Sequence, residues 1–423
     1  MAYLIAFMFI PFMQIGVSFY ISGATVVAAA TILKFHREIT ISILMNPMKS
    51  LAICLAFIMP MMYEYGIDSR DIQRALRETV FMLLMISAFS VVYDNFEKED
   101  VRKITNIVYG LVAFYFLLVL VQTFFLSRQV YFGLPRTIFI ANETALPGEL
   151  DLLYSQIRPT GTFGEPSYLG FVMTSFAFVL FPLARNAWMP RFAIAAVLVC
   201  ALITQSLSFF LAIGILVAYE RPGFKKINGP VILAATVVLI LLGIYFSDIV
   251  VRFAERLTSI SDSSKESSGF VRIFGPISVL PDYLAEYPTG APFYKLYPIL
   301  EKYVPIGLRP MTFYDNGLIN FVLDFGFYGF LLLYLYFSSA RDNTTRIYLF
   351  AAGIFNGALL SPDKLGVLIL MVALYNSFVL YLQKQSGERG SNDQHQVHYE
   401  LARPARRTLP GLRPLRSGSA KRA

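Results

Sequence analysis

Apolar segments of near-membrane length recur from residue 2 to residue 382, and that recurrence constrains the fold more than any motif does. The first apolar region, 2–33, reads as two short spans broken near 16–22. Further segments follow at 49–64, 77–94, 104–126, 166–183, 192–205, 207–220, 228–247, 316–338, 346–360 and 365–382. Several are shorter than the about 20 residues a perpendicular helix needs. The pair 192–220 is either two helices or one long tilted helix interrupted at Gln205–Ser206. Composition agrees: 56% of the chain is apolar and 15% charged, against about 25% charged in soluble domains. A water-soluble enzyme, a disordered protein and a nucleic-acid binder are excluded. The expected fold is an all-α polytopic membrane protein of about twelve transmembrane helices. No cleaved leader is expected, because the apolar region starts without a basic segment before it.

The charge is unevenly placed. The stretch 383–423 holds nine Lys/Arg against three acids, a net +6 of the chain's +8. Its Arg, Pro, Gly and Ser content reads as a disordered cytoplasmic tail. Twelve spans put both termini on one side, and the basic tail makes that side the cytoplasm. The chain is therefore expected in the cytoplasmic (inner) membrane, multi-pass. Cys54 and Cys200 lie in apolar stretches and read as buried small residues. No His, Cys or acid spacing suggests a metal site, and Glu149-Leu150-Asp151 is a weak acidic pair. No metal or other cofactor is expected.

Two long external loops organise the membrane domain, 1–382: one at 127–165 and one at 248–315. Loops of that length in a compact protein are functional or disordered. Their Tyr, Phe, Leu and Pro content favours loops folded over the mouth of the bundle. Tyr283, Tyr287, Phe293, Tyr294 and Tyr297 suit either sugar stacking or the loop's own core.

The first loop ends Arg158-Pro159-Thr160-Gly161-Thr162-Phe163-Gly164-Glu165-Pro166, where Pro166 suits the first turn of a helix. Glu165 either caps that helix or contacts a sugar hydroxyl or a proton. Arg158 either pairs with Glu165 or grips an anion. The second loop carries Gly269-Phe270-Val271-Arg272 and ends at Asp315. Asn316, Asn320 and Asp324 then fall at i, i+4 and i+8, a polar stripe on an apolar helix. The stripe either glues the helix to a neighbour or faces a site. Gly326 and Gly329 allow close helix approach.

These residues resemble the Wzy-type polysaccharide polymerase and O-antigen ligase superfamily. The likeness rests on Arg158-x-x-Gly161-x-Phe163-x-x-Pro166 leading into a helix. It rests also on Arg272 early in the second loop, followed by Asp315-Asn316, nine residues and Gly326-x-x-Gly329. Thr204-Gln205-Ser206 opening an apolar helix is a weaker match. Three departures favour a polymerase over a ligase. Asp315 stands where ligases place His, Leu207 where the family often has Arg, and Pro276 where ligases typically have Leu.

The resemblance implies glycosyl transfer at the outer face of the cytoplasmic membrane. The substrate would be a polyprenyl-diphosphate-linked oligosaccharide, joined to the hydroxyl of another lipid-linked unit. Arg158, Arg272 and Arg309 would hold the diphosphate, since guanidinium matches phosphate as a two-pronged donor. Asp315, then Glu165, would accept the acceptor hydroxyl's hydrogen. Direct attack would invert the stereocentre. Expected partners are the bilayer, a flippase and chain-length regulators, with no nucleic acid. The alternatives are ligase-type transfer to another acceptor and transport of the lipid-linked glycan.

Overall fold

The computed structural model describes residues 15–16, 20–21, 23–34, 80, 98–130, 132, 158–163, 166–184, 187–220, 275–291, 296–304, 316–338, 340, 342–357, 359 and 362–390. Among them the chain is helical apart from one two-residue antiparallel pairing, β1 (Ile15–Gly16) with β2 (Tyr20–Ile21). That pairing occupies the break expected near 16–22. The apolar segments 49–64 and 228–247, and all of 77–94 but Val80, lie outside the described residues.

Eleven helices follow in the described residues: α1 (Gly23–Lys34), α2 (Lys98–Leu126), α3 (Pro166–Ala184), α4 (Trp188–Ile203), α5 (Leu207–Glu220), α6 (Gly275–Glu286), α7 (Leu296–Glu301), α8 (Gly317–Phe325), α9 (Phe327–Ser338), α10 (Asn343–Ile354) and α11 (Pro362–Gly390). Three contain a stretch long and apolar enough to cross a membrane: Val101–Leu126, Pro166–Ala184 and Lys364–Lys384. The chain divides into two units, Met1–Tyr381 and Leu382–Ala423.

Helix α3 is the centre of the first unit and packs against α4, α5, α2 and α10. In the crossing stretch of α3, 83% of the residues are buried, against 33% in α2. The difference assigns α3 to the protein core. The outer face of α2, with Phe114, Leu117, Val121 and Phe124 exposed, is left to lipid. Inside the bundle, buried hydroxyls of α3 and α10 pair across the helices, as a lipid-embedded interior favours. The Ser175 and Tyr348 hydroxyls meet at 2.7 Å, and Phe178 stacks on Tyr348 at 4.0 Å. At the other end of α3, Arg191 Nε donates to the Ala184 carbonyl at 2.6 Å and closes the helix C-terminus.

The segment 192–220 resolves into two helices. The α4 helix ends at Ile203, Gln205 takes a positive φ of 50°, and α5 begins at Leu207. Both helices lie against α3, and Phe209 at the start of α5 sits beside Gly170 near the start of α3. The chain therefore reverses at Thr204–Ser206 rather than continuing as one tilted helix.

The segment 316–338 differs from the single span expected. It is two short helices, α8 and α9, folded back on each other at Gly326, and the Phe321 and Tyr336 rings lie 6.0 Å apart across the fold. A straight helix would separate those residues by about 22 Å. Gly326 has φ +57°, and a Cβ there would stand 2.1 Å from the Pro288 carbonyl oxygen, so only glycine fits. The backbone groups freed by the break are met by the second long loop. Phe327 N–H donates to Pro288 O at 2.8 Å, Ala291 N–H to Leu323 O at 3.4 Å, and the Tyr283 hydroxyl also donates to Leu323 O. Helices α6 and α7 of that loop share a small apolar core with Ile319 and Leu323 of α8. This part of the loop is thus folded onto the helices, as its aromatic content leads one to expect.

Candidate active site

One end of the bundle gathers the C-terminus of α2, the N-termini of α3, α8 and α11, and the α4–α5 turn. The organising group is Gln122, in the last turn but one of α2 and only 3% exposed. Its Oε1 accepts from Thr160 N–H at 3.1 Å and from Gly161 N–H at 2.8 Å. Its Nε2 donates to Gly161 O at 2.7 Å. One amide therefore satisfies three main-chain groups of the strap 158–163. Gly161 itself has φ +65°, the left-handed conformation that suits glycine.

The strap lies on an aromatic floor. Phe163 stacks on Tyr115 at 5.5 Å and on Tyr168 at 5.0 Å. Arg158, at the head of the strap, donates from Nη1 to the Gln205 carbonyl at 3.4 Å. The positive φ of Gln205 belongs to the turn that carries this carbonyl. Two segments that resemble the superfamily motifs, 47 residues apart in sequence, thus touch directly.

The third such segment reaches the same end through the α10–α11 turn. Asn316 caps α8, its Oδ1 accepting from Leu318 N–H and Ile319 N–H at 3.1 Å each. Gly317 follows, so close to that turn that a Cβ would lie 2.4 Å from the Asn356 carbonyl oxygen. A few residues on, Lys364 Nζ donates to Gly357 O at 2.6 Å and stands 5.5 Å from the centroid of the Tyr168 ring. The turn therefore links the start of α8 to the start of α3.

The expected site residues fare differently. Arg158 and Asn316 stand at this end. Asn320 and Asp324 are buried further along α8, with Asp324 about 12 Å down the helix axis from Asn316 by the rise per residue. Asp324 sits where Gly290 abuts its carbonyl, beside the docked loop rather than beside the strap. Asp315, Glu165, Arg272 and Arg309 lie outside the described residues. So do the Glu149–Asp151 pair, Cys54 and the three histidines. Among the described residues, no group of three or more His, Cys, Asp or Glu is gathered for a metal.

Two of the loop aromatics now have a role. Tyr283 and Tyr287 are buried in the loop's own core and stack at 5.4 Å. Burial, then the nearby Asp324 carboxylate, pushes the Tyr283 phenol well up, so it stays a donor. At the exposed rim of the same loop, Glu286 accepts from the Tyr303 hydroxyl and from Lys302 Nζ at 3.1 Å. These bonds, that of Tyr303 first, hold the Glu286 carboxyl below its ordinary value. The bond to Glu286 in turn holds Lys302 above its own.

Sequence reasoning passed over Gln122 and Lys364. Gln122 is a single amide inside an apolar run, and the signal was its cost there: a polar side chain buried in a membrane helix has a bonding task. Lys364 stands one residue before an expected span, following Pro362.

A sequence model described as WcaD colanic acid polymerase matches residues 1–377. The chain belongs to the WcaD colanic acid polymerase family. No curated protein matches it. Membership covers every element of the candidate site, from Gln122 to Lys364. With its apolar crossing helices, the chain is a membrane protein of a polysaccharide polymerase family, consistent with the Wzy-type resemblance.

Proposed function

We propose that this WcaD-family chain elongates a polysaccharide by joining polyprenyl-diphosphate-linked repeat units at the outer face of the cytoplasmic membrane. The donor chain leaves its diphosphate carrier as the hydroxyl of an acceptor sugar attacks the anomeric carbon. One glycosidic bond forms, the sugar–phosphate bond breaks, and the hydroxyl proton passes to a carboxylate. Asp315 is the first choice for that carboxylate and Glu165 the second. Direct attack inverts the anomeric centre and needs no covalent intermediate. The absence of an external Asp-x-Asp sequence favours a route without a metal. Arg158, Arg272 and Arg309 offset the charge that develops on the departing diphosphate. Asn316 caps the start of α8, one residue after Asp315 in the sequence.

About twelve spans, with both termini cytoplasmic, would put loops 127–165 and 248–315 outside. The observation that carries the reading is the contact of Arg158 with the Gln205 carbonyl at 3.4 Å. It joins two motif segments at one end of the bundle and holds there a guanidinium suited to a diphosphate. The family description names colanic acid, which makes the repeat unit of that polymer the first substrate to try.

The test is reconstitution. Purified protein in liposomes, given a lipid-linked repeat unit, should lengthen it without nucleotide sugar or ATP. Passage of the unit across the bilayer without lengthening would make the chain a transporter. Transfer only to a different acceptor would make it a ligase.

A further inference from the structure

The function just described assigns the diphosphate to arginines, yet the structure sets another cation at the same end. Lys364 opens the crossing stretch of α11 and is half-buried. Its ammonium makes a 2.6 Å bond to the Gly357 carbonyl and stands 5.5 Å from the centroid of the Tyr168 ring. Tyr168 belongs to the first turn of α3 and stacks on Phe163 of the strap that Arg158 heads. Lys364 and Arg158 are therefore both oriented by main-chain carbonyls, and the Tyr168–Phe163 stack joins the ring under Lys364 to the strap that begins at Arg158. A lysine at a helix end in a membrane protein has a simpler use, snorkelling toward water along its own helix. Here the chain instead leans across to a neighbouring helix, over a ring that attracts the cation. An ammonium also suits phosphate as a compact charge that swings its donors to meet tetrahedral oxygens.

We propose that Lys364 is a substrate-binding residue that contacts the diphosphate of the lipid-linked glycan from the α11 side of the strap, with Arg158 on the other. The inference rests on the polymerase reading for the identity of the ligand. The cation–π contact with Tyr168 orients Lys364 before substrate arrives. The Gly357 bond ties that position to the α10–α11 turn, on which Gly317 and the start of α8 also rest.

The test needs no variant at first. The full-length protein in detergent is treated with an amine-acylating ester, and modification at Lys364 is read by mass spectrometry. Undecaprenyl diphosphate should protect Lys364 by about tenfold or more, the uncharged undecaprenol should not, and inorganic diphosphate should protect partially. Equal acylation with and without undecaprenyl diphosphate overturns the proposal. In elongation assays, Lys364→Gln should raise the KM for the lipid-linked donor by about 10- to 100-fold, the scale of one charge-assisted hydrogen bond. Lys364→Arg should stay within about threefold of wild type, because the charge is kept. A Lys364→Gln protein that melts early but binds donor with unchanged KM would reduce the residue to a tether for Gly357, against the proposal. Wild-type lengthening is read in the same assay. Protection at Lys364 without wild-type lengthening would sink the polymerase reading and leave the anion site standing.

Discussion

Gln122 holds Gly161 from both sides, accepting its N–H at 2.8 Å and donating to its carbonyl at 2.7 Å. The strap that carries Arg158 is thereby fastened to a membrane helix by one buried amide. Gln122→Leu keeps the volume and removes every bond. Buried main-chain groups of Gly161 would be left without partners, at about 1–2 kcal/mol. The expected result is a protein that still inserts, melts a few degrees lower and elongates about 10- to 100-fold more slowly through a displaced Arg158. Thermal melting and elongation, measured on the same preparation, check it.

Arg158 supplies a forked donor that a lysine cannot imitate. Arg158→Lys keeps the charge but loses the fork that, on the proposed function, serves both the Gln205 carbonyl and a phosphate. Elongation should fall at least about tenfold while melting stays within a few degrees of wild type. Elongation at the wild-type rate would show that the guanidinium geometry is not used.

The fold-back at Gly326 depends on space as well as on φ. Gly326→Ala would force both a strained backbone and a clash with the Pro288 carbonyl. The cost should be about 1–3 kcal/mol, and it should undo the docking of the turn 287–291. Limited proteolysis should then cut between Tyr287 and Ala291 faster than in wild type. An unchanged digestion pattern would contradict the interlock.

The rim pair of the second loop makes a pH prediction. Glu286 is held below its ordinary 4.5, so its bonds to Tyr303 and Lys302 persist above that value and are lost as pH falls through the lowered one. Lys302 is held above its ordinary 10.5, so the pair persists on the alkaline side until the pH passes that raised value. Both side chains are exposed, so the pair should order the stretch between α6 and α7 locally rather than set global stability. Protection factors at 296–304, corrected for the intrinsic slowing of amide exchange in acid, should fall on acidification in wild type and lose that acid-side change in Glu286→Gln.

Much of this architecture was legible in the residues. Pro166 marked the start of α3, the interruption near 16–22 holds the β1–β2 pairing, and Thr204–Ser206 became a reversal. What misled was the continuous apolar run of 316–338. Hydropathy registers lipid-compatible residues and is blind to whether a helix continues. Gly326 and Gly329 read as close-approach glycines, and Gly329 is one: a Cβ there would meet the Phe321 carbonyl at 2.1 Å. The break itself is supported by Pro288 and Tyr283, about 40 residues away, and such help leaves no local trace. The same applies to the site. Motif spacing marked Arg158 and Asn316, whereas Gln122 and Lys364 act through contacts that only the folded chain creates. Of the polar stripe, Asn316 caps α8, and Asn320 and Asp324 are buried further along the same helix.

On the proposed function, the strap end of the bundle lengthens a lipid-linked glycan. The most direct measurement compares wild type and Arg158→Ala in liposomes supplied with the lipid-linked repeat unit and no nucleotide sugar or ATP, products being resolved by length. Wild type should give a ladder of longer chains and Arg158→Ala single units, at equal membrane content. Single units from wild type, or the same ladder from both proteins, would contradict it.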